Sequence, residues 1–541
     1  MRHAIRLLAL LGLLVASAVA EVRAQDTRRP LGHGHDGKAP TLGTVVFPNS
    51  GNAAAQAPFL RGVALLHSFG YEQAAEAFRE AQRADPGFAL AYWGEALTFS
   101  HVLWRTEDLS ASRSALRRLA PTASERLAKA PTPRERSFGA AVEAFYAEGP
   151  LPQRVRAYAD SLRRHALAAP EDPEAAAFAA HAIMLAASVG EAADRDALVR
   201  EAIALAQRVV TANPDHPGAT HYLIHLYDTP GMAAQGLAFA RAYDQIAPDA
   251  EHALHMPSHI YLQLGLWDDV ARSNERAWAA SRGSTTHPGE LDWHAFSWLQ
   301  YAYLQQGRWD AAGGLIDTAR MLVADLQGGY IDASFILPRL EFQYAAETGR
   351  WGRPIARPAE SRAQSPSDRE RGFRLFARYW LAIDAAQRRD SGLATAAAPY
   401  LAIADSIRAG AQRSPVMASN ALTVHALVAR SRAERDTYLE SLRAAAELER
   451  KLTAFVGPPE RVFALELVAA ELMADGQHAD AVRAYEDVLK LCPNRSPALL
   501  GLARAKTAAG DQAGAAEAYA KLRTNWAHAD RAVVTLLEGA P

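Results

Sequence analysis

A spacing of 34 residues near the end of the chain constrains the fold more than any other feature of the sequence. A glycine, an alanine and a tyrosine recur in the same order at that spacing: Gly476, Ala481 and Tyr485 are followed by Gly510, Ala515 and Tyr519. A fixed period of this size indicates repeated supersecondary units that stack on one another. The small alanine lets two helices approach closely, and the aromatic ring one turn later fills the space between neighbouring hairpins.

A second copy of the pattern lies near the start of the chain. Five residues fit it at once: Gly62, Ala74, Phe78, Ala81 and Pro86. The chain therefore resembles the tetratricopeptide repeat. That resemblance implies an all-α fold, a right-handed helical-hairpin solenoid of tetratricopeptide (TPR) type with a concave surface.

The period lengthens in the middle of the chain. A Gly-x-Trp motif recurs there every 42 residues, at Gly265-Leu-Trp267, Gly307-Arg-Trp309 and Gly349-Arg-Trp351. We expect each glycine to cap one helix and each indole to pack between hairpins. Strand patterns are almost absent, and Thr44 to Phe47 is the one candidate.

These patterns divide the chain into six predicted regions. They are a signal peptide (1–24), an N-terminal arm (25–57), N-terminal helical repeats (58–215), histidine-rich repeats with the 42-residue period (216–352), a linker or loop (353–370) and C-terminal helical repeats (371–541). Glycine and proline are frequent in the arm, and three prolines mark the linker, as is typical of segments between helices.

The first residues predict export. Arg2 and Arg6 flank the start of an apolar run that ends at Ala18-Val19-Ala20, which fits a signal-peptidase site. The run is short for a bilayer span of about 20 apolar residues. We therefore expect a periplasmic or secreted protein with no membrane span after cleavage. The single cysteine, Cys492, excludes an intramolecular disulfide, and a formal net charge of -2 argues against nucleic acid as a partner.

Histidine is concentrated in one part of the chain, where eight of the 18 fall between residues 216 and 294. In the family that the chain resembles, positions 2, 5, 9 and 12 of each first helix line the concave groove. Aligned to the repeat, six histidines and one aspartate take those positions. They are His221, His225, Asp228, His252, His255, His259 and His294.

The spacing within this set favours a metal site. Residues four apart share a helix face, so His221 with His225, and His255 with His259, can each hold one ion. Asp228 can supply an oxygen ligand or orient an imidazole from behind. Imidazole with carboxylate suits a divalent transition metal, and the sequence leaves Zn, Fe, Cu and Ni open.

Two alternatives remain at this point. Proline bends or breaks a helix interior, so Pro257 leaves His252 and His255 either on a helix or on a loop before one. A histidine in a helix is also often a hydrogen-bonded packing residue. Weaker site candidates are His67, His101 and His181, together with His33-Gly-His35-Asp36 in the arm.

Three longer strings are similar to those of a group of exported bacterial TPR proteins. They are FALAYWGEALTF, HYLIHLYD and HALHMPSHI. The similarity spans most of residues 42 to 350, and it implies a fold and a compartment but no activity.

Two functions of different classes follow. The first is a scaffold that holds a small polar ligand, a peptide or a protein in a histidine-lined groove, with a metal ion as part of that site. The alternative is a metal-dependent enzyme, a hydrolase or an oxidase, in which Tyr301 or Glu290 transfers protons. The sequence contains no apparent serine–histidine–acid order, phosphate loop or dinucleotide glycine motif.

Overall fold

The protein is described by a computed structural model over residues 40–190, 192–285, 287–326, 331–358, 368–453 and 455–538. Most of these residues lie in helices that follow one another as hairpins, so the molecule is an all-α solenoid of TPR type. The first helices are α1 (Ala53–His67), α2 (Tyr71–Ala84), α3 (Ala89–Leu97), α4 (Leu109–Leu119), α5 (Ala123–Ala128), α6 (Pro133–Phe145), α7 (Leu151–Ala168), α8 (Pro173–Val189) and α9 (Ala192–Ala212).

The histidine-rich part and the C-terminal part continue the same architecture. The middle helices are α10 (Pro217–Tyr227), α11 (Ala233–Ile246), α12 (Glu251–His255), α13 (Pro257–Leu264), α14 (Trp267–Ser284), α15 (Trp293–Gln305), α16 (Trp309–Val323) and α17 (Ile331–Thr348). The last are α18 (Asp368–Arg388), α19 (Leu393–Arg408), α20 (Pro415–Ser431), α21 (Arg435–Glu449), α22 (Ala464–Ala474), α23 (His478–Leu491), α24 (Ser496–Ala508), α25 (Gln512–Asn525) and α26 (Arg531–Val534). Short 3-10 turns occur at Val102–Trp104, Pro288–Glu290 and Thr535–Leu537.

The residues that define the repeat pack as their types require. Phe78 lies so close to Gly62 that a Cβ atom there would be 2.8 Å from its ring, and Gly94 on the next hairpin is closer still. Ala481 and Ala515 are fully buried. Gly265 ends α13 with a φ of 65°, in the left-handed region that favours glycine. The close contacts predicted from the 34-residue period are therefore present.

The solenoid turns back on itself. The side chain of Asn494 donates to the carbonyl of Gly265 at 2.8 Å, and the indole of Trp267 donates to the carbonyl of Asn494 at 2.9 Å. Further along, the amide of Asp530 donates to the carbonyl of Gly307 at 3.0 Å. The last hairpins thus pack against the corners of hairpins more than 200 residues earlier.

The strand predicted at Thr44 to Phe47 is wrong. That segment is extended, but its backbone pairs with the loop before α10, where the amide of Thr44 donates to the carbonyl of Asp215 at 2.9 Å. Phe47 anchors it, because the ring is buried 5.0 Å from the ring of Phe138. In the described part of the chain the strands are β1 (Ser100–His101) and β2 (Thr106–Glu107), an antiparallel pair of two residues each.

Several predictions fall on residues that the structure does not describe. The signal peptide, residues 1–24, and the cluster His33, His35 and Asp36 lie outside the described ranges. Among the helices that are described, none has the length and apolar character needed to cross a membrane. The division of the chain into six regions stays a prediction.

Candidate metal centre

Four helices bring the six predicted histidines together. Helix α10 carries His221 and His225, α12 carries His252 and His255, α13 carries His259, and α15 carries His294. Pro257 does not separate them, because it is the first residue of α13, where proline needs no amide hydrogen, and Met256 before it keeps helical backbone angles. His252 and His255 therefore lie on a helix.

The rings form two groups of three. In each group, one possible ligand atom from each residue lies within 4.8 Å of the other two. We name His221, His225 and His252 the enclosed group, and His255, His259 and His294 the open group. The two groups touch, since the ring centroids of His225 and His259 are 5.8 Å apart.

In the enclosed group, the nitrogen atoms that face each other lack partners. His221 is fully buried, and its Nδ1 donates to the backbone carbonyl of His67 at 2.8 Å. A neutral imidazole carries one hydrogen, so the Nε2 of His221 presents a lone pair. The Nε2 atoms of all three histidines are buried and have no hydrogen-bond partner among the described residues.

In the open group, an asparagine fixes the first imidazole. The Nδ1 of His255 lies 2.6 Å from the Oδ1 of Asn274. The amide nitrogen of Asn274 donates to the carbonyl of Val270 at 2.8 Å, which fixes the orientation of this side chain. The Nδ1 of His255 must therefore be the donor, and its Nε2 carries the lone pair.

The carboxylate of Asp228 fixes the tautomer of the second imidazole, His259, in the same way. The Nδ1 of His259 donates to the Oδ2 of Asp228 at 2.8 Å, while the Oδ1 of Asp228 accepts from Gln263 at 2.9 Å. Of the two roles predicted for Asp228, these contacts match the orienting one. The Nε2 atoms of His255 and His259 then face each other at 3.2 Å. Two lone pairs at that distance repel unless a metal ion or a shared proton lies between them.

Aromatic side chains cover both groups, so the predicted open groove is filled. The ring of Phe69 lies 4.3 Å from His221 and 5.8 Å from His252. Phe69 holds a φ of 57°, which is uncommon for a residue other than glycine. The indole of Trp298 lies 4.5 Å from the ring of His259. Only His294 of the six is exposed, so the open group faces solvent at that residue.

Burial lowers the pKa of five of these imidazoles and so favours their neutral form. Loss of solvation lowers the pKa of His225 and of His255 to about 3 in each case, and neighbouring imidazoles add to the effect. The same causes hold the pKa of His221 well below its ordinary value of 6.5. Because a metal binds the neutral form of imidazole, these residues need not lose a proton at neutral pH to act as ligands.

A third group of titratable residues lies next to the enclosed group. Glu174 accepts from the Nε2 of His67 at 2.9 Å, and the Nε2 of His216 lies 3.3 Å from its other oxygen. The Nδ1 of His216 accepts from the amide of Ala219 at 3.1 Å, so its hydrogen is on Nε2, the nitrogen nearer to Glu174, although that contact falls outside hydrogen-bond geometry. We name His67, Glu174 and His216 the buried triad.

The triad carries its own charge compensation. Burial alone would raise the pKa of Glu174, but the charges and hydrogen bonds of His216 and His67 outweigh it and hold the value at about 2. His67 had been a weaker candidate from sequence. Glu174 and His216 were missed, because each stands singly at the start of a helix and no spacing links them.

The remaining candidates have other partners. The hydroxyl of Tyr301 lies 3.4 Å from a nitrogen of Arg495, and Glu290 accepts from Thr285 at 2.7 Å. His101 bonds to the carbonyl of Thr98 at 2.9 Å. His181 stacks on Tyr222, with ring centroids 5.0 Å apart.

Comparison with known proteins gives no family for the chain. No family model matches it, and no curated protein does. Among solved structures, an APC/C hetero-tetramer, Cut9-Hcn1, is 13% identical, with 91% of this chain and 77% of that chain covered and a TM-score of 0.36. A human IFIT1 dimer with PPP-AAAA is 14% identical, with 87% and 91% covered and a TM-score of 0.35. The chain is similar to both only as a long helical array, and its own helices define its fold.

Proposed function

We propose that this protein is a helical-repeat scaffold that binds two transition-metal ions through six histidines, one ion in the enclosed group and one in the open group. The donors are uncharged imidazole nitrogens, which suit Zn, Fe, Cu and Ni. Three of the rings are fixed by acceptors on the far side: His221 by a backbone carbonyl, His255 by the amide oxygen of Asn274, and His259 by the carboxylate of Asp228. Such partners raise the basicity of a ligand and set its orientation.

One observation carries the proposal. The Nε2 atoms of His255 and His259 face each other at 3.2 Å, and the acceptors Asn274 and Asp228 hold the ring hydrogens on the opposite nitrogens. A metal ion between the two nitrogens satisfies both lone pairs at once. The competing arrangement is a single proton shared between the two rings, with Asp228 as the counter-charge, and metal analysis distinguishes the two.

A metal-dependent enzyme is the second candidate, and the exposure of His294 favours it. An ion in the open group has a side that faces solvent, where water can complete its coordination. Metal-bound water is a nucleophile in hydrolases. A peptide-binding role on this same face has less support, because Phe69 and Trp298 already cover the rings.

Metal analysis of protein made without a histidine tag tests the proposal. We expect two ions per chain in the parent, one in His225→Phe and one in His259→Phe. His528→Phe is the matched control, because His528 is exposed and far along the chain, and it should keep two. A parent without metal after reconstitution, or variants that keep two ions, would contradict the proposal.

Export belongs to the same proposal and has a separate test. The support is the apolar run before Ala18-Val19-Ala20. N-terminal sequencing of the protein from its native host should give a start near Glu21 or Gln25. An intact start at Met1 in the cytoplasm would contradict it.

A further inference from the structure

A segment from the C-terminal hairpins lies against the candidate metal centre. We name this segment, residues 455–463, the strap; it leads directly into α22. Helix α18 holds it at two points. The indole of Trp380 donates to the carbonyl of Glu460 at 3.3 Å, and the amide of Val462 donates to the hydroxyl of Tyr379 at 3.2 Å. The strap is therefore anchored in the C-terminal part of the chain, yet its first residues reach the histidines.

Hydrogen bonds through Gln263 join the strap to a ligand ring. The buried amide nitrogen of Gln263 donates one hydrogen to the Oδ1 of Asp228 at 2.9 Å and the other to the carbonyl of Phe455 at 2.7 Å. Both hydrogens of that nitrogen are thus used. The Oδ2 of Asp228 accepts from the Nδ1 of His259 at 2.8 Å. A continuous chain of hydrogen bonds therefore runs from the strap to His259.

A second contact between the strap and the histidines runs through Trp298. Gly457 lies so close to this indole that a Cβ atom on the glycine would be 2.9 Å from the Cζ2 of the tryptophan. The same indole packs on all three rings of the open group, with centroids 4.5 Å from His259, 4.9 Å from His255 and 5.4 Å from His294. The strap thus reaches the open group by packing as well as by hydrogen bonds.

We propose that the strap positions the ligands of the open group through Gln263 and Gly457, and that metal binding and docking of the strap stabilise each other. This inference rests on the proposed function and adds what controls one of its two sites. Hydrogen-bonded partners behind a ligand change metal affinity by about 10–100-fold. Coupling between two equilibria is reciprocal, so a strap that strengthens metal binding is itself held more tightly when metal is bound.

Zinc titrations test the positioning role of Gln263. They use the His225→Phe background, in which the proposed function leaves one ion, in the open group, and Zn(II) is titrated in competition with a zinc indicator. Gln263→Met keeps the length of the side chain but donates no hydrogen bond. Asp228 then loses the contact that holds its Oδ1, and we expect zinc affinity to fall about tenfold.

Gly457→Ala tests the packing contact in the same background, with Gly510→Ala as the matched control. Both glycines have a positive φ, 99° and 86°, so alanine is strained at each position. A Cβ atom at Gly510 meets nothing within 4 Å, whereas one at Gly457 presses on Trp298. Zinc affinity should therefore fall in Gly457→Ala and stay unchanged in Gly510→Ala.

Amide hydrogen exchange in the unsubstituted full-length protein gives a readout that needs no variant. We expect bound Zn(II) to slow exchange in the strap by a larger factor than in α25, because local opening of the strap is coupled to the metal. A segment with only a packing role would change by the same factor as α25.

The outcomes separate this inference from the proposed function. Equal slowing in the strap and in α25, unchanged zinc affinity in Gln263→Met, or equal losses in the two glycine variants would overturn the role of the strap and leave the metal-binding proposal standing. A parent protein that binds no zinc or other transition metal would overturn both.

Discussion

The buried triad and the six-histidine cluster lie side by side, yet their ring hydrogens are placed differently. In the triad, the carboxylate of Glu174 lies between His67 and His216, and the ring hydrogens point toward it. In the cluster, the hydrogens of His221 and His259 point away from their neighbours, so lone pairs meet in the middle.

The difference shows that the position of one hydrogen separates a structural histidine from a candidate ligand. The Nδ1 of His216 accepts a hydrogen bond from a backbone amide, and its Nε2 is therefore a donor. The Nδ1 of His255 donates to Asn274, and its Nε2 is therefore free to bind a cation. Proximity of three possible ligands is common to both regions and does not distinguish them.

The largest expected effect is on the pH dependence of the free energy of unfolding, which should differ between the six-histidine cluster and the buried triad. The folded-state pKa of His255 lies at about 3, below the unfolded value near 6.5. The unfolded chain then binds more protons below pH 6.5, and stability is lost as pH falls from there towards 3. Each such histidine costs about 1.4 kcal/mol per pH unit. In the triad, Glu174, at about 2, loses its contribution only between about pH 4.5 and 2, and His67 is the one member whose pKa burial is known to lower.

Urea unfolding with a chelator at pH 7, 6 and 5 measures this effect. The metal-free protein should lose several kcal/mol over that range, and added metal should move the loss to lower pH. A metal-free protein of constant stability between pH 7 and pH 5 would show that the cluster is not buried in the neutral form.

Glu174→Gln should have the next largest effect. The buried carboxylate accepts a hydrogen bond from His67, and hydrogen bonds to a charged group contribute about 1.5–3 kcal/mol. Thermal and urea unfolding measure the loss. The control is Glu76→Gln, in an exposed pair with Arg83, where a change below about 1 kcal/mol is expected. Similar effects of the two substitutions would contradict the role assigned to the triad.

Asn274→Leu should weaken metal binding at the open group. The side chain has a similar size but no acceptor for the Nδ1 hydrogen of His255, and loss of such a partner typically reduces metal affinity 10–100-fold, roughly. Competition with a chelator gives the change in affinity. Asn274→Asp keeps an acceptor and should retain affinity, so a loss of equal size in both would point to simple disruption of packing.

The smallest effect on stability should come from His225→Phe in the metal-free protein. The Nε2 of His225 has no partner, so an apolar ring of similar shape forfeits no hydrogen bond there. We expect a change within about 1 kcal/mol, together with loss of one metal ion. His67→Phe is the contrast, because it removes the hydrogen bonds of the ring to Tyr222 and to Glu174 and leaves the buried carboxylate against an apolar ring. Equal destabilisation by His225→Phe and His67→Phe would contradict the distinction between a candidate ligand and a structural histidine.

Much of this site follows from the sequence, because its decisive spacings are local. The four-residue interval between His255 and His259 places both rings on one helix face, and the repeat aligns that helix with its neighbours. The rest depends on contacts between distant segments. Phe69 contacts His221 although the two lie about 150 residues apart in the sequence. Neither the Phe69 contact nor the buried triad has a periodic spacing in the sequence that could predict it.

Anomalous X-ray diffraction from crystals loaded with copper tests the central claim most directly. We predict two anomalous peaks, each about 2 Å from ring nitrogens of three histidines, one in the enclosed group and one in the open group. We predict no peak beside Glu174, because His67 and His216 each carry their hydrogen on the nitrogen nearer to the carboxylate. A copper peak in the buried triad, or none among the six histidines, would contradict the account.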